Sequence, residues 1–187
     1  MRLVHGLFAL ILALLLASCV TNRGATPAEK RDAIQEMKND VLQQLYRQKR
    51  SARAEVAEAP GYAVFSNANV NLILASFGGG YGVVHNNETG RDTYMRMGEV
   101  GIGLGAGVKD YRVVFVFHDS ETMNDFIEHG WAFGGQADAA AKAGDKGAAV
   151  GGEAIVDDVS IYQLTESGLA LQATVKGTKY WRDGKLN

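Results

Sequence analysis

The chain has a single cysteine, Cys19, in 187 residues, so neither an intrachain disulfide nor a set of thiolate metal ligands is available to hold it together. It has no apolar run long enough for a spanning helix: the stretch from Leu7 to Ala17 is 11 residues, against the ~20 that a bilayer requires. It has no basic excess, with 19 Lys and Arg against 21 Asp and Glu, and a net acidic chain is a poor ligand for nucleic acid. The short signatures of catalysis are also missing. No G-x-G-x-x-G opens a helix, no Gly-Lys-Ser/Thr loop occurs, and there is no G-x-S-x-G elbow or H-E-x-x-H pair. His85, His118 and His129 lack zinc-type spacing. His118-Asp119-Ser120 holds the three residue types of a triad, yet sequence neighbours do not aim at one another, so it reads as a strand end followed by a helix cap. Asp157 and Asp158, adjacent in an extended segment, would point to opposite faces. No enzyme, metal site or cofactor is expected.

What is present begins with the N-terminus. Arg2 precedes the apolar run, and Leu16-Ala17-Ser18-Cys19 closes it with small residues before the cysteine, as in a cleaved signal peptide. The junction resembles the lipobox of bacterial lipoproteins, in which the thiol takes a diacylglyceryl group, cleavage follows before it, and the new amine is acylated. Val20 stands where an inner-membrane retention signal would place Asp. The resemblance therefore implies residues 1–18 as a signal peptide, lipid (palmitate among its chains) on Cys19, and the periplasmic face of an outer membrane. Each buried methylene contributes ~0.8 kcal/mol, so several chains make a lasting anchor where one would not. Removal of Arg2 leaves the mature chain at net charge −3, against −2 for the whole.

Residues 19–27 form a polar tether, of which Val20 to Pro27 reaches at most ~29 Å when extended. Residues 28–187 suit one domain, burying roughly 70% of the surface of the unfolded chain. Of 23 glycines, 21 lie at or after Gly61 and none between Ala28 and Ala59. That contrast predicts a helix followed by a glycine-rich sheet. Ile34, Met37, Val41, Leu42 and Leu45 recur on one helical face, with Glu29, Asp32 and Glu36 near the positive end of the dipole. The second half of the helix carries Arg47, Lys49, Arg50 and Arg53 without an acid among them. Such a segment can lie on an anionic membrane, each cation contributing about 1 kcal/mol, or can be a solvated face whose apolar stripe packs on the body.

After Pro60 the spacing becomes strand-like. Tyr62 to Phe65 and Leu72 to Phe77 are apolar runs, separated by a Ser66-Asn67-Ala68-Asn69 turn. Gly78-Gly79-Gly80 leads into Tyr81 to His85, and Asn86 to Gly90 turns the chain into Thr93 to Met97. Gly101, Gly103, Gly105 and Gly107 alternate with apolar residues, so one extended strand would have a bare face. Close approach there could involve a helix, a sheet bend or a lipid chain. Tyr111 to Phe117 is a strand; Asp119 or Ser120 caps a short second helix with Met123, Phe126 and Ile127, ended by Gly130. Ile155 to Leu164 and Leu169 to Lys176 form a terminal hairpin.

In order and spacing, several of these motifs resemble the SYLF domain across residues 28–187: Pro60 to Phe65, the Gly78 to Gly82 turn with Tyr81 inside it, the glycine-alternating strand, and the helix after Phe117. Ala137-Asp138-Ala139, Ile161-Tyr162 and Ser167-Gly168-Leu169 complete the set. The resemblance implies an α+β fold, with an antiparallel sheet of a kind that can take a barrel-like form, an N-terminal amphipathic helix and a short second helix. It also implies that Ala137 to Gly152 is extended. Eukaryotic relatives bind acidic phospholipids through a basic amphipathic segment at the start of the domain, and some bind actin. Arg47, Lys49, Arg50 and Arg53 occupy that segment here, while Tyr94 stands where many relatives carry tryptophan. The expected protein is a non-catalytic, outer-membrane-anchored lipoprotein whose domain binds lipid, anionic phospholipid in particular, or another membrane component. The alternative is a structural or protein-interaction module with a protein partner in the envelope. Nucleic acid is not expected as a partner.

Overall fold

Antiparallel strand pairing, as often between strands distant in the chain as between chain neighbours, organises the molecule. The computed structural model describes residues 26–72, 75–101, 107–130, 132–133, 153–156, 158–165, 168–169 and 176–187. Three helices, α1 (Pro27–Gln48), α2 (Ala52–Glu58) and α3 (Ser120–His129), accompany nine strands. The strands are β1 (Gly61–Leu72), β2 (Ala75–Asn86), β3 (Asp92–Gly101), β4 (Gly107–Phe117), β5 (Ala132–Phe133), β6 (Glu153–Val156), β7 (Val159–Thr165), β8 (Gly168–Leu169) and β9 (Lys176–Arg182). They form one sheet in the order β5-β9-β3-β2-β1-β4-β7-β6, with β8 on β7. Among the described residues the sheet ends at β5 and β6 and does not close into a barrel.

The strand alternation sorts side chains to two faces. On one, Ala63, Phe65, Val113, Phe115 and Phe117 pack with Met123 and Phe126 of α3 and with Tyr180. Phe65 meets Tyr180 edge-on at 4.7 Å between centroids and Phe126 at 6.1 Å. Such pairs add about 0.5–1.5 kcal/mol beyond the area they bury. On the other face Tyr62, Val64, Val114, Val116 and Tyr162 pack under Val41, Leu42 and Leu45 of α1 and Ala52 and Val56 of α2. The sheet is thus the middle layer, with α3 on one side and α1 and α2 on the other.

The start of α1 is held by a capping box. Thr26 Oγ1 accepts from the Glu29 amide at 3.2 Å, Glu29 Oε2 accepts from the Thr26 amide at 2.9 Å, and Pro27 takes the first helical position. The carboxyl of Glu29 is held below the ordinary range chiefly by that backbone hydrogen bond. The helix does not run on to Ala59 as the composition suggests. Lys49 is extended (φ −135°, ψ 96°), and the chain restarts at Ala52 as a separate helix. The bend has a packing cause: it returns Ala52 and Val56 to the cluster already occupied by Val41 and Leu45, where a straight continuation would carry them away from the sheet. Asn87 Nδ2 then donates to the Val56 and Ala59 carbonyls, each at 2.8 Å, satisfying the end of α2.

Other boundaries also differ. Neither Ser66 to Asn69 nor Gly78 to Gly82 is a turn: the first is the middle of β1 and the second the middle of β2, and the two strands stay paired from Gly61 to Leu72 of β1. Asn67 is buried there, donating to Glu99 Oε2 at 3.0 Å. The Ile155 to Leu164 strand divides into β6 and β7 at Asp158, whose φ is 61°. The hairpin of β7 and β8 is present, with Leu164 opposite Leu169, but the last strand is β9, which pairs with β3 and β5. The expected cap and stop of α3 are found: Asp119 Oδ2 accepts from the Thr122 amide at 2.8 Å, and Gly130 (φ 69°) ends the helix. That hydrogen bond lowers the Asp119 carboxyl below its usual value. The extended reading of Ala137 to Gly152 lies outside the described residues.

Gly90 and Gly130 both have φ of 69°, but a Cβ at Gly90 would meet nothing within 4 Å whereas one at Gly130 would run into the Tyr180 carbonyl oxygen. Gly130 also has ψ of 177°, a region that belongs to glycine. Gly90→Ala is therefore expected to cost about 1–2 kcal/mol, and Gly130→Ala distinctly more, because β9 must shift as well. Urea unfolding of the two variants checks the order.

Candidate functional site

The basic segment is placed at the corner where α1 gives way to α2. Arg47 lies in the last turn of α1, Lys49 and Arg50 form the bend, and Arg53 lies in the first turn of α2. Arg47, Arg50 and Arg53 are exposed and Lys49 is half-buried. Two of the four lie on aromatic rings. Lys49 Nζ sits 5.1 Å from the Tyr162 ring centroid, and the Arg53 guanidinium carbon lies 4.5 Å from that of Tyr46. Burial raises the Tyr46 hydroxyl above its ordinary pKa, with Arg53 opposing it. The segment is thus a cationic corner whose ring contacts fix part of it, rather than the second half of one amphipathic helix.

Under this corner lies a polar group that the sequence gives no means of assembling. Glu55 of α2 accepts from the Tyr162 hydroxyl through Oε2, and its Oε1 is 3.2 Å from His118 Nε2. The same nitrogen lies 2.9 Å from Ser160 Oγ. Serine, histidine and carboxylate therefore meet, but a nucleophilic triad places the serine and the acid on opposite ring nitrogens. Here both approach Nε2, so the acid cannot orient the ring for the serine. Ser160 is 2% exposed, leaving little access to a substrate. The arrangement clasps α2 to the ends of β4 and β7. His118 directly follows the last residue of β4, and its partners come from α2 and β7.

A second polar group lies beneath α1. Asp92 accepts from Gln35 Nε2 at 2.9 Å and has His85 Nδ1 at 2.7 Å and Lys38 Nζ at 4.0 Å. Gln35 Nε2 also donates to Tyr94 Oη at 3.0 Å, so Tyr94 helps to seat α1. The Tyr62 ring stacks beside His85 at 5.3 Å, and burial pushes its hydroxyl up to about 12. A phenol at that value stays protonated near neutrality and is no general base. Among the described residues no group of three His, Cys, Asp and Glu could hold a metal ion, and no helix is long and apolar enough to cross a membrane.

Cys19, Gly103 and Gly105 lie outside the described residues, as does Asp157. Gly101 ends β3 and Gly107 begins β4, strands separated in the sheet by the β1–β2 pair, so these two glycines do not share a strand. Close backbone approach is seen instead in β2, where a Cβ at Gly80 would strike the Ser66 carbonyl and one at Gly82 the Phe65 ring.

Residues 98–187 match a family model described as Ysc84, Las17-binding protein actin regulator. The chain is also similar to beta cell expansion factor A of Aeromonas veronii, at 35% identity over 161 residues, which is 86% of this chain. It spans about 60% of the length of that curated relative. The two likenesses run in the same direction as the resemblance to the SYLF domain.

The Tyr62 hydroxyl supplies a pH test of the α1 seat. Its folded value of about 12 lies above the ordinary value of 10.0, so its contribution to stability is complete below about pH 10 and is lost as pH rises towards 12. Tyr62→Phe should flatten that part of the alkaline loss of stability while leaving the profile near neutrality unchanged, as read from denaturant midpoints against pH.

Proposed function

We propose that this protein is a non-catalytic lipoprotein of the outer membrane, anchored at Cys19 on the periplasmic face, whose SYLF domain binds the membrane surface. The observation that carries the binding half is the cationic corner: Arg47, Arg50 and Arg53 are exposed together where α1 meets α2, on a domain whose net charge is negative. Local clustering against the net charge favours anionic lipid, because the attraction is felt within about one Debye length. The anchor half rests on Leu16-Ala17-Ser18-Cys19 and the apolar run before it. The eight-residue tether would keep the start of α1 within ~29 Å of the bilayer, and the corner at the other end of that 22-residue helix can then turn to the surface. Placement of Ser160 and Glu55 on one nitrogen of His118 supports a binding role over hydrolysis.

A second reading, a structural or protein-interaction module of the envelope, draws on the family model, whose description names the binding of another protein, Las17. Flotation separates the two. The mature chain from residue 19, with Cys19→Ser so that no lipid is attached, should float with vesicles containing phosphatidylglycerol and not with neutral phosphatidylcholine vesicles. Changing Arg47, Arg50 and Arg53 to Gln removes up to three contributions of about 1 kcal/mol, so binding should weaken by roughly a hundredfold. Equal, negligible flotation with both vesicle types would leave the protein-interaction reading. In cells, labelled palmitate should appear on the wild-type chain and not on the Cys19→Ser variant.

A further inference from the structure

The sheet face that carries α1 is only partly covered by it. Register places Leu164, Arg112, Ser66, Tyr81, Arg96 and Trp181 in one row across β7, β4, β1, β2, β3 and β9. Side chains in such a row share a face. Leu164 is buried under α1 and α2, and Arg112 Nη1 donates to Gln44 Oε1 of α1 at 3.3 Å. Farther along, Tyr81 is 46% exposed and Trp181 38%, and these are the exposed large hydrophobic side chains among the described residues. Two strand spacings separate them, about 10 Å.

The neighbouring row holds Gly79, Gly98 and Lys179. Trp181 ring carbons lie 3.1 and 3.3 Å from where a Cβ on Gly98 would stand, so the missing side chain lets the indole rest against the strand. Gly79 leaves bare backbone beside it, with no atom closer than 4.0 Å to its would-be Cβ. Arg96, although 3.5 Å from Asp183, keeps 59% of its side chain exposed; Arg112 and Lys179 are exposed too. Asp110 stands at the β4 end of the Gly79 row. The result is a shelf of two aromatic rings among three cations. It is continuous with the cationic corner, because Gln44, which holds Arg112, and Arg47 are three residues apart and adjacent on the surface of α1.

We infer that this shelf is the surface on which the domain rests against the bilayer, with anionic phospholipid as its ligand. The inference depends on the membrane-binding reading and adds the face that makes contact. Tyrosine and tryptophan match the headgroup layer, where an apolar ring and a polar tip are both accommodated. Guanidinium and ammonium groups match the phosphates. Charge complementarity selects a lipid surface: the described side chains of the shelf are cationic and aromatic, and Asp183, the acid at Arg96, already faces a guanidinium.

The test uses the mature Cys19→Ser chain with Trp131→Phe, which leaves Trp181 as the one indole of the two in the sequence. With phosphatidylglycerol-containing vesicles, Trp181 emission should move to the blue and be quenched by lipids brominated along the acyl chain, and salt should reverse both changes. Arg96→Gln with Arg112→Gln should weaken binding by roughly tenfold or more. An independent probe is Tyr81→Cys in the same Cys19→Ser background with Trp131 retained, carrying an environment-sensitive dye that should report the same transfer. Flotation with Trp181 and the dye still in water would overturn the shelf and leave membrane binding standing. Absence of flotation would overturn both, and capture of a soluble envelope protein by the shelf in place of vesicles would also overturn it.

Discussion

The double pairing of β1 is the constraint on which the rest of the structure depends. From Gly61 to Asn71 this strand has β2 on one edge and β4 on the other. Its register sets which side chains of three strands reach each face. A slip of β1 by one residue would turn Ala63 and Phe65 towards α1 and bring Tyr62 and Val64 beneath α3. Both cores, the clasp at Glu55 and the exposed row through Tyr81 descend from that pairing. The buried Asn67–Glu99 hydrogen bond joins β1 to β3 across β2, and an amide and a carboxylate so deeply buried mark a slipped arrangement as costly.

Local patterns were legible where local physics decides. The apolar stripe of α1, the alternation in β4, the Asp119 cap and the Gly130 stop were all readable in the chain, since each depends on a few neighbouring residues. Ser66 to Asn69 was misread because turn-forming residues in a strand paired on both edges yield to tertiary pairing. The bend at Lys49 carries no glycine or proline to announce it; its cause is the cluster that α2 must reach. β9 is polar and short, and its role comes from β3, some eighty residues earlier.

The site shows the same division. The four cations were visible as composition, but their ring partners Tyr46 and Tyr162 and the bend that gathers them were not. The clasp joins Glu55, His118, Ser160 and Tyr162, residues separated by up to 107 positions, so spacing cannot disclose it. The aromatic shelf required the register of β9 before Trp181 could be set beside Arg96.

The tail of the chain sits against the start of α1. Leu186 is buried with Ile34 and Val83, and Arg31 donates to its carbonyl at 3.1 Å across 155 residues of sequence. Ile34 and Arg31 therefore stay without this partner until a residue about 150 positions away has folded back onto them, and closure between positions so far apart slows the completion of a fold whose β1–β2–β3 meander pairs locally.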